Sequence, residues 1–203
     1  MSLNLKLPEI SKQIYQEDVL DILENNYTII GPHWIANQLE WVNGTYAAFK
    51  DHEKFLIVIY LIKKTLDFYS RNFLKLSYEQ FYSKDKVEIE RFNIIEISKN
   101  INIPKESVRR KIIELEKSSI IIRNKKKITI DRSAYPFVKP LASIKRMSRF
   151  LSIFSKLLLK KKILQKEFTT DEIEKVITAN FSYVWKIYYE LQIPMLLEYK
   201  KFF

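Results

Sequence analysis

The chain has no cysteine, so its 203 residues can build no disulfide, thiolate metal site, iron–sulfur cluster or catalytic thiol. Its two glycines, Gly31 and Gly44, are too few for a phosphate-cradling loop or a dinucleotide fingerprint, which removes most nucleotide-dependent enzymes. The two histidines, His33 and His52, lie near expected helix starts without ligand spacing and read as structural; no metal or cofactor is expected. The carboxylate pairs Glu88/Glu90 and Glu114/Glu116 stand two apart, a spacing that puts them on different helix faces, so no acid–base constellation is visible and no enzyme is expected. Long hydrophobic runs are missing too. The longest, Phe55 to Ile62, is far short of the ~18 residues of a membrane span, and MSLNLKLPEI does not read as a signal peptide. The expectation is a cytoplasmic protein with no membrane partner.

What the chain does have is positive charge, +11 in all, and it is confined. Residues 1–50 carry a net −3 and residues 51–90 a net zero. Residues 91–132 carry +7, residues 133–168 carry +8, and residues 169–203 return to −1. A lysine-rich codon bias would spread lysine throughout; a block between Arg91 and Lys166 points instead to a polyanionic partner, nucleic acid first.

Apolar residues recur at helical spacing nearly everywhere, and Ile/Thr alternation appears once, which predicts a mainly α protein with one small hairpin. Ser11 is expected to cap a first helix carrying Ile14, Val19, Ile22 and Leu23 as far as Asn25-Asn26. A second helix is expected from Pro32 to Phe49, broken near Asn43-Gly44, and a third from Asp51 to Ser70 with Phe55, Ile59, Ile62, Leu66 and Tyr69 as its stripe. Ser77 with Gln80 is a capping box; Lys84 to Glu88 reads as a charged connector into a helix over about 90–100. Ser133 to Pro140 reads as a linker. The long helix expected after it, from Leu141 to Leu164, has Ile144, Met147, Leu151, Phe154 and Leu158 at heptad positions. Thr169 with Glu172 opens a last helix whose buried side is expected to hold Ile173, Val176, Ile177, Val184, Ile187 and Leu191, until Pro194 stops it.

The informative segment runs from Ile94 to Asp131 and reads as a short helix, a tight turn, a second helix and a hairpin. Ser98 supplies the small residue that two steeply crossing helices need, Asn102 tolerates positive φ in the turn, and Pro104 suits the start of the next helix. Val108, Ile112 and Leu115 form that helix's inward face and leave Lys105, Arg109, Arg110 and Lys117 to point away.

From about Glu90 to Arg132, the chain resembles the winged helix-turn-helix of bacterial transcription regulators. IPKESVRRKIIELEKSSII looks like the recognition helix and first wing strand, and Asn124-Lys125-Lys126 like the wing tip; Asn102 and Ser119 stand where the family commonly has glycine. The layout is most similar to the MarR type, with the GntR type a looser analogue. The resemblance implies a winged helix-turn-helix with one β-hairpin wing, flanked by long N- and C-terminal helices, with divisions at 1–50, 51–132 and 133–203. It also implies a helix over about 104–118 in the DNA major groove, a wing over about 120–131 on the backbone, and a dimer made by the flanking helices.

The residues then expected to meet double-stranded DNA are Lys105, Glu106, Ser107, Arg109, Arg110 and Lys111 on the helix, and Arg123, Asn124, Lys125, Lys126 and Lys127 on the wing. Arginine reaches guanine bidentately, so Arg109 and Arg110 are the candidate base readers; the wing lysines are placed on phosphates. Three readings stay open: a dimeric sequence-specific regulator of transcription, a replication or plasmid- and phage-maintenance protein, and a winged-helix module for protein contacts. The aromatic set Trp34, Trp41, Tyr46, Phe49, Phe181, Tyr183, Trp185, Tyr188 and Tyr189 leaves a small-molecule effector open, although such stripes are core or interface more often.

Overall fold

The computed structural model describes residues 14–83, 85–89, 93–124, 127–133 and 139–199. In chain order its elements are α1 (Gln16–Asn25), α2 (Tyr27–Phe49), α3 (His52–Arg71), α4 (Tyr78–Tyr82), β1 (Lys86–Ile89), α5 (Ile94–Asn100), α6 (Lys105–Lys117), β2 (Ile121–Asn124), β3 (Lys127–Asp131), α7 (Leu141–Lys160), α8 (Thr170–Ala179) and α9 (Phe181–Tyr199). The fold is mainly helical, with a small antiparallel sheet. None of the described helices is long and apolar enough to cross a membrane.

Two compact units result, residues 1–41 with 140–179 and residues 42–139 with 180–203. They do not follow the divisions at 50 and 132, because the last helix folds back onto the middle of the chain: α9 packs on α3.

In the first unit, Ile22, Ile30, Leu157, Leu158, Ile163 and Leu164 form a core against which Leu23, Phe150, Phe154 and Phe168 pack. Ser11 lies outside the described residues, and Tyr15 stands before α1, whose first turn gains from Glu17 and Asp18 at the positive end of the helix. α2 starts at Tyr27, five residues earlier than Pro32, and runs through Gly44 unbroken. Pro32 lies inside α2, where it removes the bond to the Thr28 carbonyl and crowds that carbonyl, yet the helix continues through it. On α7 the buried face runs through Ser148, Ser152 and Ser155 between Ile144 and Leu158, whereas Met147, Leu151 and Phe154 are half-buried. The serines let the next segment approach: Ser152 Oγ donates to the Phe168 carbonyl at 2.9 Å, and Phe168 N–H donates to Ser155 Oγ at 3.1 Å. The expected box is present before α8, Glu172 N–H donating to Thr169 Oγ1 at 3.2 Å and Thr169 N–H to the Glu172 carboxylate at 2.9 Å.

In the second unit, α3 is buried on nearly every side from Leu56 to Ile62, wider than the single stripe expected, because α6, α9 and β1 all pack on it. Asp51 caps it, accepting from Glu53 N–H at 2.9 Å and Lys54 N–H at 3.1 Å. The Ser77/Gln80 box is formed at α4. The charged connector is instead a strand: β1 pairs with β3 in the register Val87↔Ile130 and Ile89↔Ile128, giving a three-stranded sheet of order β1-β3-β2 rather than a lone hairpin. Val87 and Ile89 are buried while Lys86 and Glu88 are exposed; two apolar positions in four residues are too short an alternation to read without the partner strand.

The last helix also departs from expectation. The chain breaks at Asn180 and α9 starts afresh at Phe181, so the apolar phase resets: Phe181, Trp185, Tyr188, Tyr189, Ile193 and Leu196 are buried, while Ile187 and Leu191 are exposed. Pro194 lies inside α9, which continues to Tyr199. Ser182 ties its start to the loop before α4, exchanging hydrogen bonds with Leu76 at 2.9 and 3.1 Å.

Candidate nucleic-acid interface

α5 and α6 are joined by a turn that their own side chains brace. Asn93 caps α5 through Ile95 N–H at 2.9 Å. At its other end Asn102 has φ 48°, Ile103 N–H closes onto the Ser98 carbonyl at 3.2 Å, and Ser98 Oγ donates back to the Ile103 carbonyl at 2.7 Å. This is a helix end closed by a residue in the left-handed region, with asparagine in the usual glycine position. Ile101 and Ile103 on either side are buried. Pro104 stands immediately before α6, where its fixed φ suits entry and no intrahelical bond is lost.

α6 leaves by the same device. Ser119 has φ 57°, its N–H reaches the Glu116 carbonyl at 3.0 Å, and Ile120 N–H reaches the Leu115 carbonyl at 3.0 Å, a Schellman motif built on serine. β2 then pairs with β3 from Ile121↔Ile130 to Asn124↔Lys127. Lys125 and Lys126 lie outside the described residues.

Val108, Ile112 and Leu115 are fully buried, as their spacing predicts, and Lys105, Glu106, Arg109, Arg110, Ile113 and Lys117 are exposed, with Ser107 half-buried. The outward cations are interleaved with acids. Arg109 pairs with Glu106 at 2.9 Å and Arg110 Nε lies 3.9 Å from Glu114. Arg123 pairs with Glu116 at 3.2 Å, and Lys127 with Glu88 across the sheet. Lys105 and Lys117 form no ion pair among the described residues. With side chains about 60% exposed or more, the Arg109–Glu106 pair is held by at most about 1 kcal/mol, so either partner exchanges readily for a ligand group.

Lys111 is different. Its ammonium pairs with Asp51, the cap of α3, and the two side chains are only 15% and 18% exposed. Beside it Lys54 pairs with Glu114 at 2.7 Å. Burial raises the Asp51 carboxyl, but the Lys111 ammonium and the two capping N–H groups outweigh it and hold the pKa below 3.8. α5 is fastened similarly: Glu96 accepts from Lys64 at 2.8 Å and Tyr60 at 3.0 Å. Partners 32 to 60 residues away hold these two helices, and no local spacing in the sequence marks them.

The aromatic set is divided between the two units. Phe181, Trp185, Tyr188 and Tyr189 pack on one another in the second unit, with Trp185 ring centres 5.2 Å from Phe181 and 4.7 Å from Tyr188. Trp34 lies against Phe150 at 5.4 Å in the first. Burial holds the Tyr189 hydroxyl up at about 12. Among the described residues no group of three His, Asp or Glu side chains forms a metal site. Compared with protein-family models, curated proteins and solved structures, the chain finds no match.

Proposed function

We propose that the chain is a sequence-specific duplex-DNA-binding regulator of transcription, acting as a homodimer, with residues 86–131 serving as a winged helix-turn-helix. The observation that carries this reading is α6 itself. It is a helix of 13 residues, locked from below by Val108, Ile112 and Leu115, that turns Lys105, Arg109, Arg110 and Lys117 outward and is followed by a hairpin. The acids on that face favour the groove floor over the backbone. Glu106 beside a phosphate would be repelled, whereas base edges present both donors and acceptors, and a glutamate accepts from cytosine N4. Arg109 and Arg110 are the base readers in this reading, Ser107 supports them, and Arg123, Asn124 and Lys127 set the hairpin along the backbone. Lys111 is assigned to the fold rather than to DNA. Dimer formation is supported by Tyr183, Ile187 and Leu191, exposed apolar residues four apart on α9.

Selection of bound sites from random duplex DNA tests the reading, followed by titration across salt. Binding is expected to weaken with a log–log slope of roughly −4 to −8 and to select half-sites about one helical turn apart. A flat salt response, or no binding at low salt, refutes it; protection of a single unpaired repeat points to replication or maintenance instead.

A further inference from the structure

α7 is the most cationic helix described, with five basic residues and no acid among its twenty, whereas α6 offsets five basic residues with three acidic ones. Lys145, Arg149, Lys156 and Lys160 are spaced 4, 7 and 4 apart, which at 100° per residue places them within an arc of about 60° along roughly 22 Å of helix. All four are exposed. Lys156 pairs with Glu167 at 3.2 Å, but Lys145, Arg149 and Lys160 form no ion pair among the described residues. Arg146, off this arc, is engaged by Glu40 at 3.1 Å.

The arrangement is unfavourable to the helix alone. Lys145 over Arg149 and Lys156 over Lys160 are like-charge pairs at i, i+4, and no acid stands in the first turn to meet the positive end. Elsewhere the chain neutralises such cations locally, as Lys63 with Asp67 on α3 and Lys186 with Glu190 on α9. A stripe of this length with three of its four cations unpaired among the described residues matches a linear polyanion, because duplex DNA presents on the order of a dozen charges over 22 Å. A lipid surface fits less well: a helix lying in the membrane interface inserts its apolar face, and here Ile144, Leu157 and Leu158 are already buried.

We propose that this face of α7 is a second nucleic-acid contact, holding phosphates without reading sequence. The proposal rests on the reading of the chain as DNA-binding, and adds a surface with none of α6's acids. The test uses the full chain with Lys145, Arg149 and Lys160 all changed to Gln, beside an Arg109→Ala/Arg110→Ala variant and a charge-keeping Lys145→Arg/Lys160→Arg control. Fluorescence anisotropy is read on the selected duplex and on a random duplex from 50 to 200 mM salt, with circular dichroism to check folding, and the Lys145→Gln/Arg149→Gln pair stands in if the triple variant unfolds. The triple variant is expected to make the salt slope shallower by about three units, or the pair by about two, and to lose affinity by the same factor on both duplexes, while the arginine control matches the unaltered chain. A glutamine variant with unaltered slope on both duplexes, beside an Arg109/Arg110 variant that loses its preference, overturns the α7 surface and leaves the DNA reading standing. An unaltered chain that binds neither duplex overturns both. Loss of binding to phosphatidylserine vesicles in the triple variant, with its DNA binding intact, overturns the nucleic-acid assignment in favour of lipid.

Discussion

Replacing Lys111 by Met separates a lysine that holds the fold from one that holds DNA. The ammonium meets the carboxylate that caps α3, with both side chains more than four-fifths buried. An exposed pair contributes about 0.2–1 kcal/mol, and breaking a fully buried one costs about 3–5, so this pair falls near 1–2 kcal/mol. Met keeps the aliphatic stem and leaves Asp51 its two backbone donors, and the expected loss is about 1–1.5 kcal/mol. Asp51→Asn keeps the cap and loses the charge, at about 1 kcal/mol; Asp51→Ala loses both, adding a cap worth about 1, for about 2–3 in all. For a chain of this length each kcal/mol lowers the midpoint by about 2–4 °C, so in a thermal melt Lys111→Met and Asp51→Asn should fall together and Asp51→Ala clearly below both. The double variant completes a cycle with a coupling of about 1 kcal/mol. Measured below these transitions, the salt slope of Lys111→Met on duplex DNA should equal that of the unaltered chain, whereas Lys105→Met should make it shallower by about one unit. If Lys111→Met flattens the slope by a unit and leaves the melt unmoved, the lysine faces phosphate and the assignment to α3 is refuted.

On the selected duplex, Arg109→Ala or Arg110→Ala should cost about 1–3 kcal/mol, and less on random DNA, since a bidentate base contact is lost only where its base is present; competition binding on the two duplexes reads the difference. Ser119→Gly should be neutral or stabilise by up to about 1 kcal/mol in urea unfolding, because φ 57° strains any Cβ, and Asn102→Val should destabilise by about 1–2 kcal/mol. Glu96 is pushed up by burial, but its bonds from Lys64 and Tyr60 bring it below its ordinary 4.5, and Asp51 sits below 3.8. Folded-state pKa values that are depressed stabilise above the unfolded values and lose that contribution as pH falls through the folded ones, so urea midpoints should be level above about pH 5.5 and drop below about 4.5. Glu96→Gln should make that acid limb shallower; an unchanged limb refutes the role of the Lys64–Glu96–Tyr60 contact.

Much of this protein is written in interactions one or two turns long. The capping boxes at Ser77 and Thr169, the inward set Val108, Ile112 and Leu115, and the left-handed tolerance of Asn102 each depend on residues within about seven positions, and each was legible in the sequence. So was the outward placement of Lys105, Arg109, Arg110 and Lys117, since the buried face of an amphipathic helix defines its opposite. The acid partners of these arginines stood in the same stretch, three and four residues away, and their spacing was the signal for the pairs now seen.

Tertiary structure decided the rest, through partners the chain brings from afar. β1 is a strand because β3, some forty residues later, supplies the hydrogen bonds that four residues cannot supply alone. Lys111 reads as one more cation of a basic helix until Asp51, sixty positions earlier, meets it. A break at Asn180 rotates every later residue of the helix phase, so Ile187 and Leu191 are exposed and Trp185 and Tyr188 are buried. Composition and period determine which residues a helix can bury, because they act within the helix; which neighbour receives that face is set by packing among segments far apart in sequence, and only the folded chain supplies it.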